Sequence, residues 1–214
     1  TYIYLDSEER RRYAQLSHEY LIRQVQQISE TATIKQGTPN NSIDYKTFNH
    51  PVVFNVWGFT NAANKAAELD WTNFTTSPPF LSFLGQNVVN QHKLVLNGNE
   101  RYNEKSADYF NLVQPYNHFT SIPPTGVLTY SYALQPVEHQ PSGTLNFSRI
   151  DNAFNRYSVS NNITLLNGTL GSSAANNTSN WIDIKGTLFN VFAYAVNYNV
   201  LRIMSGMGGL AYSN

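Results

Sequence analysis

Apolar and polar residues alternate along most of the chain after residue 50, and this period of two predicts β-strands. The longest predicted strand is apolar on both faces, which is typical of a central strand buried on each side. Pro- and Gly-containing turns separate the runs, so we expect an all-β fold, an antiparallel eight-stranded jelly-roll β-sandwich. The predicted strands cover residues 52–59, 93–96, 127–134, 145–149, 154–166 and 188–203.

Helices are predicted at two places. Residues 6–29 repeat apolar side chains at helical spacing, and Asp6 with Glu9 three residues later matches a capping box. The predicted linker helix therefore spans 6–29. A short internal helix is predicted over residues 108–113, ended by Pro115. The apolar stripe of the long helix comprises Tyr13, Leu16, Tyr20, Leu21, Val25 and Ile28.

Charge and composition exclude several classes of function. The 214 residues include 14 basic and 14 acidic side chains, which gives a net charge of zero. Electrostatic binding of nucleic acid needs an excess of Lys and Arg, and the chain has none. The absence of cysteine excludes thiolate zinc sites, cysteine nucleophiles and disulfides. No apolar run reaches the length of a membrane-spanning helix. Only 13% of residues are charged, and such a surface suits a protein that packs against copies of itself.

The segment 138–152, EHQPSGTLNFSRIDN, is the strongest candidate for chemistry. His139, Ser142 and Asp151 are the residue types of a hydrolytic triad. However, Ser142 lies in a Pro-Ser-Gly turn and not in the strand–elbow–helix context that exposes a nucleophile. We therefore interpret the segment as architectural, and we expect neither catalysis nor a cofactor.

The architectural interpretation gives the residues of this segment structural tasks. The turn should be shaped by its Pro, Ser and Gly, and the bend should be held by an arginine and an aspartate that pair with each other or bond to backbone. The residues of this structural signature are Pro141, Ser142, Gly143, Arg149 and Asp151.

Seven Asn-x-Ser/Thr sequons occur, and those in the Gly-, Ser-, Ala- and Asn-rich segment 161–180 are predicted to be the most accessible, because this segment lacks apolar periodicity and should be a surface loop. Asn146 falls within a predicted strand and is expected to stay unmodified. The candidate glycosylation sites are Asn162, Asn167, Asn176 and Asn177.

Six stretches in order resemble the double jelly-roll major capsid proteins of large icosahedral nucleocytoplasmic DNA viruses, above all the algal-virus and giant-virus branch. Departures at 55–57, Val137 and Leu145 bear only on the branch. The matching stretches are YIYLDSEERRRYAQLSHEY (2–20), NHPV (49–52), LNGNERY (96–102), DYFNLVQPY (108–116), EHQPSGTLNFSRIDN (138–152) and NYNVLRIMSGMGGLAYSN (197–214).

The resemblance implies that residues 1–48 end a first jelly roll and supply the linker helix, and that residues 49–214 form the second, C-terminal jelly roll. It implies homotrimeric, pseudo-hexagonal capsomers that tile an icosahedral shell. The implied partners are other copies of the chain and minor capsid proteins, with an inner membrane contacted only indirectly and no nucleic acid. The implied location is the virion capsid, assembled in the host cytoplasm.

A carbohydrate-binding jelly roll is the alternative interpretation. It rests on the large number of aromatic side chains, because exposed aromatic rings are suited to stacking on sugars. These side chains are Trp57, Trp71, Trp181 and 14 tyrosines. The competing explanation is that these rings fill the core and the subunit interface.

Overall fold

The computed structural model describes residues 1–33, 41–61, 71–76, 85–159, 164–166, 181–183 and 188–213. All of the paired strands in these ranges run antiparallel. In chain order the strands are β1 (His18–Thr33), β2 (Asn41–Asp44), β3 (Pro51–Asn61), β4 (Gln91–Leu96), β5 (Asn99–Glu100), β6 (Lys105–Ser106), β7 (Val127–Ser131), β8 (Leu145–Asn146), β9 (Ala153–Ser158), β10 (Thr164–Leu166), β11 (Trp181–Asp183), β12 (Leu188–Met204) and β13 (Met207–Leu210).

Two sheets carry the fold. The first has the order β1-β12-β3-β7, with β13 added to β12 and β8 to β3. The second has the order β2-β9-β4-β5, with β6 added to β4, and β10 and β11 form a separate pair. The chain crosses repeatedly between the two sheets, as β1, β3, β7 and β12 lie in one and β2, β4 and β9 in the other. This winding is that of a jelly roll, and it confirms the predicted fold class.

The core fills the space between the sheets. β12 turns small side chains inward where β3 supplies large ones, so that Ala193, which is fully buried, lies directly opposite Trp57. Phe189 and Val191 continue the same buried face of β12. The second sheet adds Tyr157 from β9 to this cluster. The predicted central strand 188–203 is therefore confirmed, although only one of its faces is fully buried.

The predicted long helix is wrong beyond its first half. The helix α1 spans Ser7–Gln15, and the Asp6 carboxylate accepts the Glu9 amide at 2.8 Å, as the capping pattern predicted. The chain turns extended at Leu16, and β1 then pairs with β12 over all of its residues. Within β1 exposed and half-buried positions alternate, so long-range pairing overrides a local pattern that also fits a helix.

Residues 18–33 and 41–44 are thus strands of the two sheets, and the division of the chain at residues 48 and 49 stays a prediction. Among the described residues, no helix is long and apolar enough to cross a membrane.

The internal helix is longer than predicted. A π-helical turn, Tyr109–Val113, continues directly into α2 (Gln114–His118), and we call residues 109–118 the corner helix. Pro115 lies in the first turn of α2 and does not end the helix. The Phe110 carbonyl, in the turn before this proline, accepts the Thr129 hydroxyl at 3.3 Å.

The predicted strand 145–149 is confirmed only for Leu145–Asn146. Phe147–Arg149 forms a 3-10 turn, because the Asn146 side chain accepts the Ser148 amide at 3.1 Å and draws the backbone out of the strand. In the predicted strand 154–166, residues 160–163 lie outside the described part of the chain.

Candidate functional site

The Pro-Ser-Gly turn has the shape that its residue types indicated. Gly143 has a φ of 151°, and a Cβ at this position would lie 2.8 Å from the backbone oxygen of Tyr132. The Ser142 hydroxyl accepts the Gln135 amide at 2.9 Å, which closes the turn across seven residues. Pro141 is exposed at its tip. Glycine is therefore required at 143 both by the backbone angle and by the close approach.

The cation that holds this turn is Arg23, from β1. Its guanidinium donates to the Pro136 carbonyl at 2.9 Å and also to the Glu138 carbonyl. It lies 5.4 Å from the centre of the Tyr198 ring and bonds to the Tyr198 hydroxyl at 3.3 Å. Sequence reasoning missed Arg23, and the only signal for it was its position as the single charged side chain in residues 20–29.

Arg149 and Asp151 do not make the contacts that were expected of them, which were with each other or with backbone. Both are exposed, and within the part of the chain that the structure describes neither takes part in a hydrogen bond or an ion pair. Anchoring comes instead from the Ser148 hydroxyl, which accepts the His50 amide at 2.8 Å. The Phe147 amide in turn donates to the His50 carbonyl at 3.1 Å, and His50 itself has a left-handed φ of 67°.

The triad geometry is not assembled. The Ser142 hydroxyl accepts a backbone amide and His139 is exposed, and no hydrogen bond joins His139, Ser142 and Asp151 in the described part of the chain. No group of three or more potential metal ligands converges among the residues that the structure describes.

A half-buried amide cluster fixes the chain where it enters β3. Gln26 donates to the Asn49 carbonyl at 2.6 Å and to the Asn197 side-chain oxygen at 3.0 Å, and the Asn49 amide donates back to the Gln26 oxygen at 2.9 Å. Asn197 is fully buried and donates to the Tyr198 carbonyl at 3.1 Å. The cluster joins β1, β12 and the loop before β3 through groups that would be costly to leave unbonded.

His92 is the one buried titratable side chain in the described core that ordinarily changes charge near neutral pH. Its ring lies 5.5 Å from Trp57, 5.6 Å from Phe110 and 6.0 Å from Tyr157, centre to centre. Burial lowers the pKa of His92 to about 3, because the charged form loses its hydration. The neighbouring Asn155 side chain acts in the opposite direction and raises the pKa of His92, but less than burial lowers it. Neither ring nitrogen of His92 has a hydrogen-bond partner among the described residues.

The outer surface carries large apolar side chains around the corner helix and the turn after β7. The carbonyl of Leu134 lies 3.0 Å from the His118 ring nitrogen, so the turn meets the end of the helix. We call the exposed apolar residues of these two elements the corner patch, which consists of Leu112, Val113, Tyr116, Leu134 and Val137.

The remaining candidates are placed as follows. Trp57 is a core residue, whereas Trp71 is 58% exposed, and the Trp181 side chain lies outside the described part. The sequon asparagine Asn73 is buried, and its oxygen accepts from the Thr75 hydroxyl at 2.7 Å. The four predicted glycosylation sites, Asn162, Asn167, Asn176 and Asn177, all lie outside the described residues.

The wound two-sheet topology places the chain in the class of jelly-roll proteins. A family model for the large eukaryotic DNA virus major capsid protein matches residues 9–209. The chain therefore belongs to this family.

Individual relatives agree with this assignment. The major capsid protein of Paramecium bursaria Chlorella virus 1 is 40% identical over the whole chain, and that of Pyramimonas orientalis virus 39%. The quasi-atomic structure of the Paramecium bursaria Chlorella virus 1 capsid superposes with a TM-score of 0.77 at 37% identity, covering all of this chain. The Faustovirus major capsid protein, at 16% identity and a TM-score of 0.67, shares the fold.

The chain spans about half the length of these relatives, 53% and 48% of the two capsid proteins and 56% of the superposed structure.

Proposed function

We propose that this chain is the C-terminal jelly roll of a capsid protein that forms homotrimers of pseudo-hexagonal outline, which tile an icosahedral shell. The observation that carries the proposal is the match along the whole chain, in sequence and in fold, to a protein seen within an assembled virus capsid. Six stretches of similarity spread from residue 2 to residue 214 support it further.

The surfaces support the same proposal. Leu134 is 74% exposed and Tyr116 79%, and such side chains are unfavourable in water unless another surface covers them. On the opposite edge of the first sheet, β1 leaves Val25 66% exposed. A capsomer with several subunit contacts needs apolar surface on more than one side.

The task of this protein is then mechanical and not catalytic. Several of its described polar side chains bond to backbone, as those of Ser142 and Asn197 do, and such bonds support a rigid shape. Minor capsid proteins are the expected additional partners, the inner membrane is expected to be contacted only indirectly, and assembly is expected in the host cytoplasm.

The oligomeric state tests the proposal. The full natural chain is purified and its mass measured by light scattering coupled to size-exclusion chromatography, over a hundredfold range of concentration. We expect a trimer. A monomer at every concentration, with no incorporation into virions, would refute the proposed function.

A further inference from the structure

Tyr13 in α1 and Tyr20 in β1 meet through their hydroxyl groups. The two hydroxyl oxygens lie 3.0 Å apart and share a hydrogen bond. The contact joins two different elements, since α1 ends at Gln15 and β1 begins at His18. No residue of α1 is buried, so this helix lies on the surface of the protein and is held there by contacts of this kind.

The ring of His18 orients both phenols. Its centre lies 4.7 Å from the centre of the Tyr13 ring, with 32° between the planes, and 6.3 Å from that of the Tyr20 ring, with 14° between the planes. The imidazole is itself fixed, because its Nε2 lies 3.3 Å from the Arg12 carbonyl oxygen. A carbonyl oxygen can only accept, so Nε2 is the donor in this bond. The two phenols are therefore held far from perpendicular, with their hydroxyls together.

A second pair of adjacent tyrosine rings lacks these features. The ring of Tyr130 lies 5.2 Å from that of Tyr132, centre to centre, but the Tyr132 hydroxyl accepts from Asn55 and both rings are half-buried. Tyr13 is 37% exposed and Tyr20 is 41% exposed, so a dissolved reagent reaches both rings. The pair formed by Tyr13 and Tyr20 thus combines a direct contact between hydroxyls with access from solvent.

We propose that Tyr13 and Tyr20 are the site of an oxidative cross-link, a dityrosine bond that joins the ring carbons next to their hydroxyls. Each phenol gives one electron to a one-electron oxidant and its hydroxyl proton to water, which leaves a tyrosyl radical. The two radicals combine through a new carbon–carbon bond. The hydrogens on the two joined carbons then move to the oxygens, so both hydroxyls are restored. The chain ends lighter by two hydrogen atoms, and two equivalents of the oxidant are reduced.

The geometry of the folded chain favours this product. The hydroxyls of a dityrosine flank the new bond and face each other, so the contact between the oxygens of Tyr13 and Tyr20 already resembles that of the product. Reacting groups that are held side by side combine far faster than groups that must first meet by diffusion. The bond would fasten α1 covalently to β1, which pairs with β12 over its whole length. The inference goes beyond the proposed function and does not depend on it, because both tyrosines belong to one chain.

The test oxidises the full natural chain with photogenerated tris-bipyridyl ruthenium(III), a one-electron oxidant, and maps the product by trypsin digestion and tandem mass spectrometry. Trypsin cleaves after Arg12 and Arg23, so both tyrosines fall in the single peptide YAQLSHEYLIR (13–23). A bond within one chain lowers the mass of this peptide by two hydrogen atoms and removes the backbone fragments between its two tyrosines. A bond between two chains joins two peptides instead.

The controls separate the folded geometry from mere exposure and from spacing along the chain. Tyr13→Phe and Tyr20→Phe each remove one partner, and Tyr4→Phe changes a tyrosine that is 90% exposed. We expect the internally linked peptide from the unchanged chain and from Tyr4→Phe in equal yield, and none from the other two variants. The unchanged chain unfolded in urea should give about tenfold less of it, because the two rings are then no longer held together.

Three results would overturn the cross-link: no internally linked peptide 13–23, tyrosine bonds formed only between chains, or an equal yield from the unfolded chain. The proposed function fails separately. A chain that stays monomeric but gives the linked peptide would refute the capsomer and leave the cross-link standing.

Discussion

Acid should weaken this jelly roll through His92. The side chain is fully buried among aromatic rings, and none of the buried side chains in the described residues is an acid that could serve as counter-ion. The pKa of His92 falls from 6.5 to about 3 on folding. Between these values the unfolded chain binds more protons than the folded one, so stability is highest above pH 6.5 and falls as the pH decreases toward 3.

The size of the effect follows from the shift in pKa. One pKa unit corresponds to about 1.4 kcal/mol, so the full shift of His92 corresponds to roughly 4–5 kcal/mol, reached only near pH 3. At pH 5 about 2 kcal/mol is lost relative to pH 8. For a domain of this size that loss lowers the unfolding temperature by about 4–8 °C.

The assay measures urea unfolding at several pH values between 8 and 4, and compares the unchanged chain with His92→Leu, which has no titrating group. His139→Gln is the matched control, since His139 is exposed. We expect the fall in stability from pH 8 to pH 5 to be about 2 kcal/mol smaller in His92→Leu than in the unchanged chain. Parallel pH profiles for the two proteins would refute the reasoning, whatever their absolute stabilities.

Three other substitutions and one control test the geometry, by the folded yield for Gly126→Ala and by urea unfolding at neutral pH for the others. Arg23→Gln should cost about 2–3 kcal/mol, because a charged donor to two carbonyls is lost, and an unchanged midpoint would contradict its role in the turn. Gly126→Ala should greatly lower the folded yield, since the new Cβ would lie 2.1 Å from the Phe74 carbonyl oxygen. Gly98→Ala, with φ 84° but open space around it, is its control and should cost only about 1 kcal/mol. Arg149→Ala should leave the midpoint unchanged, because this side chain is exposed and unbonded, and a large loss would restore the role first assigned to it.

Local sequence patterns predicted the strands whose own apolar residues match their burial in the sheet. β12 and β3 were predicted because both carry long apolar runs, and the Asn97-Gly98 turn between β4 and β5 follows from the left-handed backbone that these residues adopt, with φ values of 49° and 84°. Gly143 was assigned to the turn from the Pro-Ser-Gly sequence alone, and its φ of 151° and the approach of the Tyr132 backbone oxygen were added by the structure.

The sequence by itself determined the wound β architecture, the family and the uncharged character of residues 109–137, because these depend on residue type and order alone. Only the tertiary structure decided that β1 is a strand and that Arg23, not Arg149, holds the turn. Arg23 meets its carbonyl acceptors 113 and 115 residues further along the chain, and β1 finds its partner in β12. Interactions over such separations leave no local periodicity, so they become visible only when the two sheets have closed around their core.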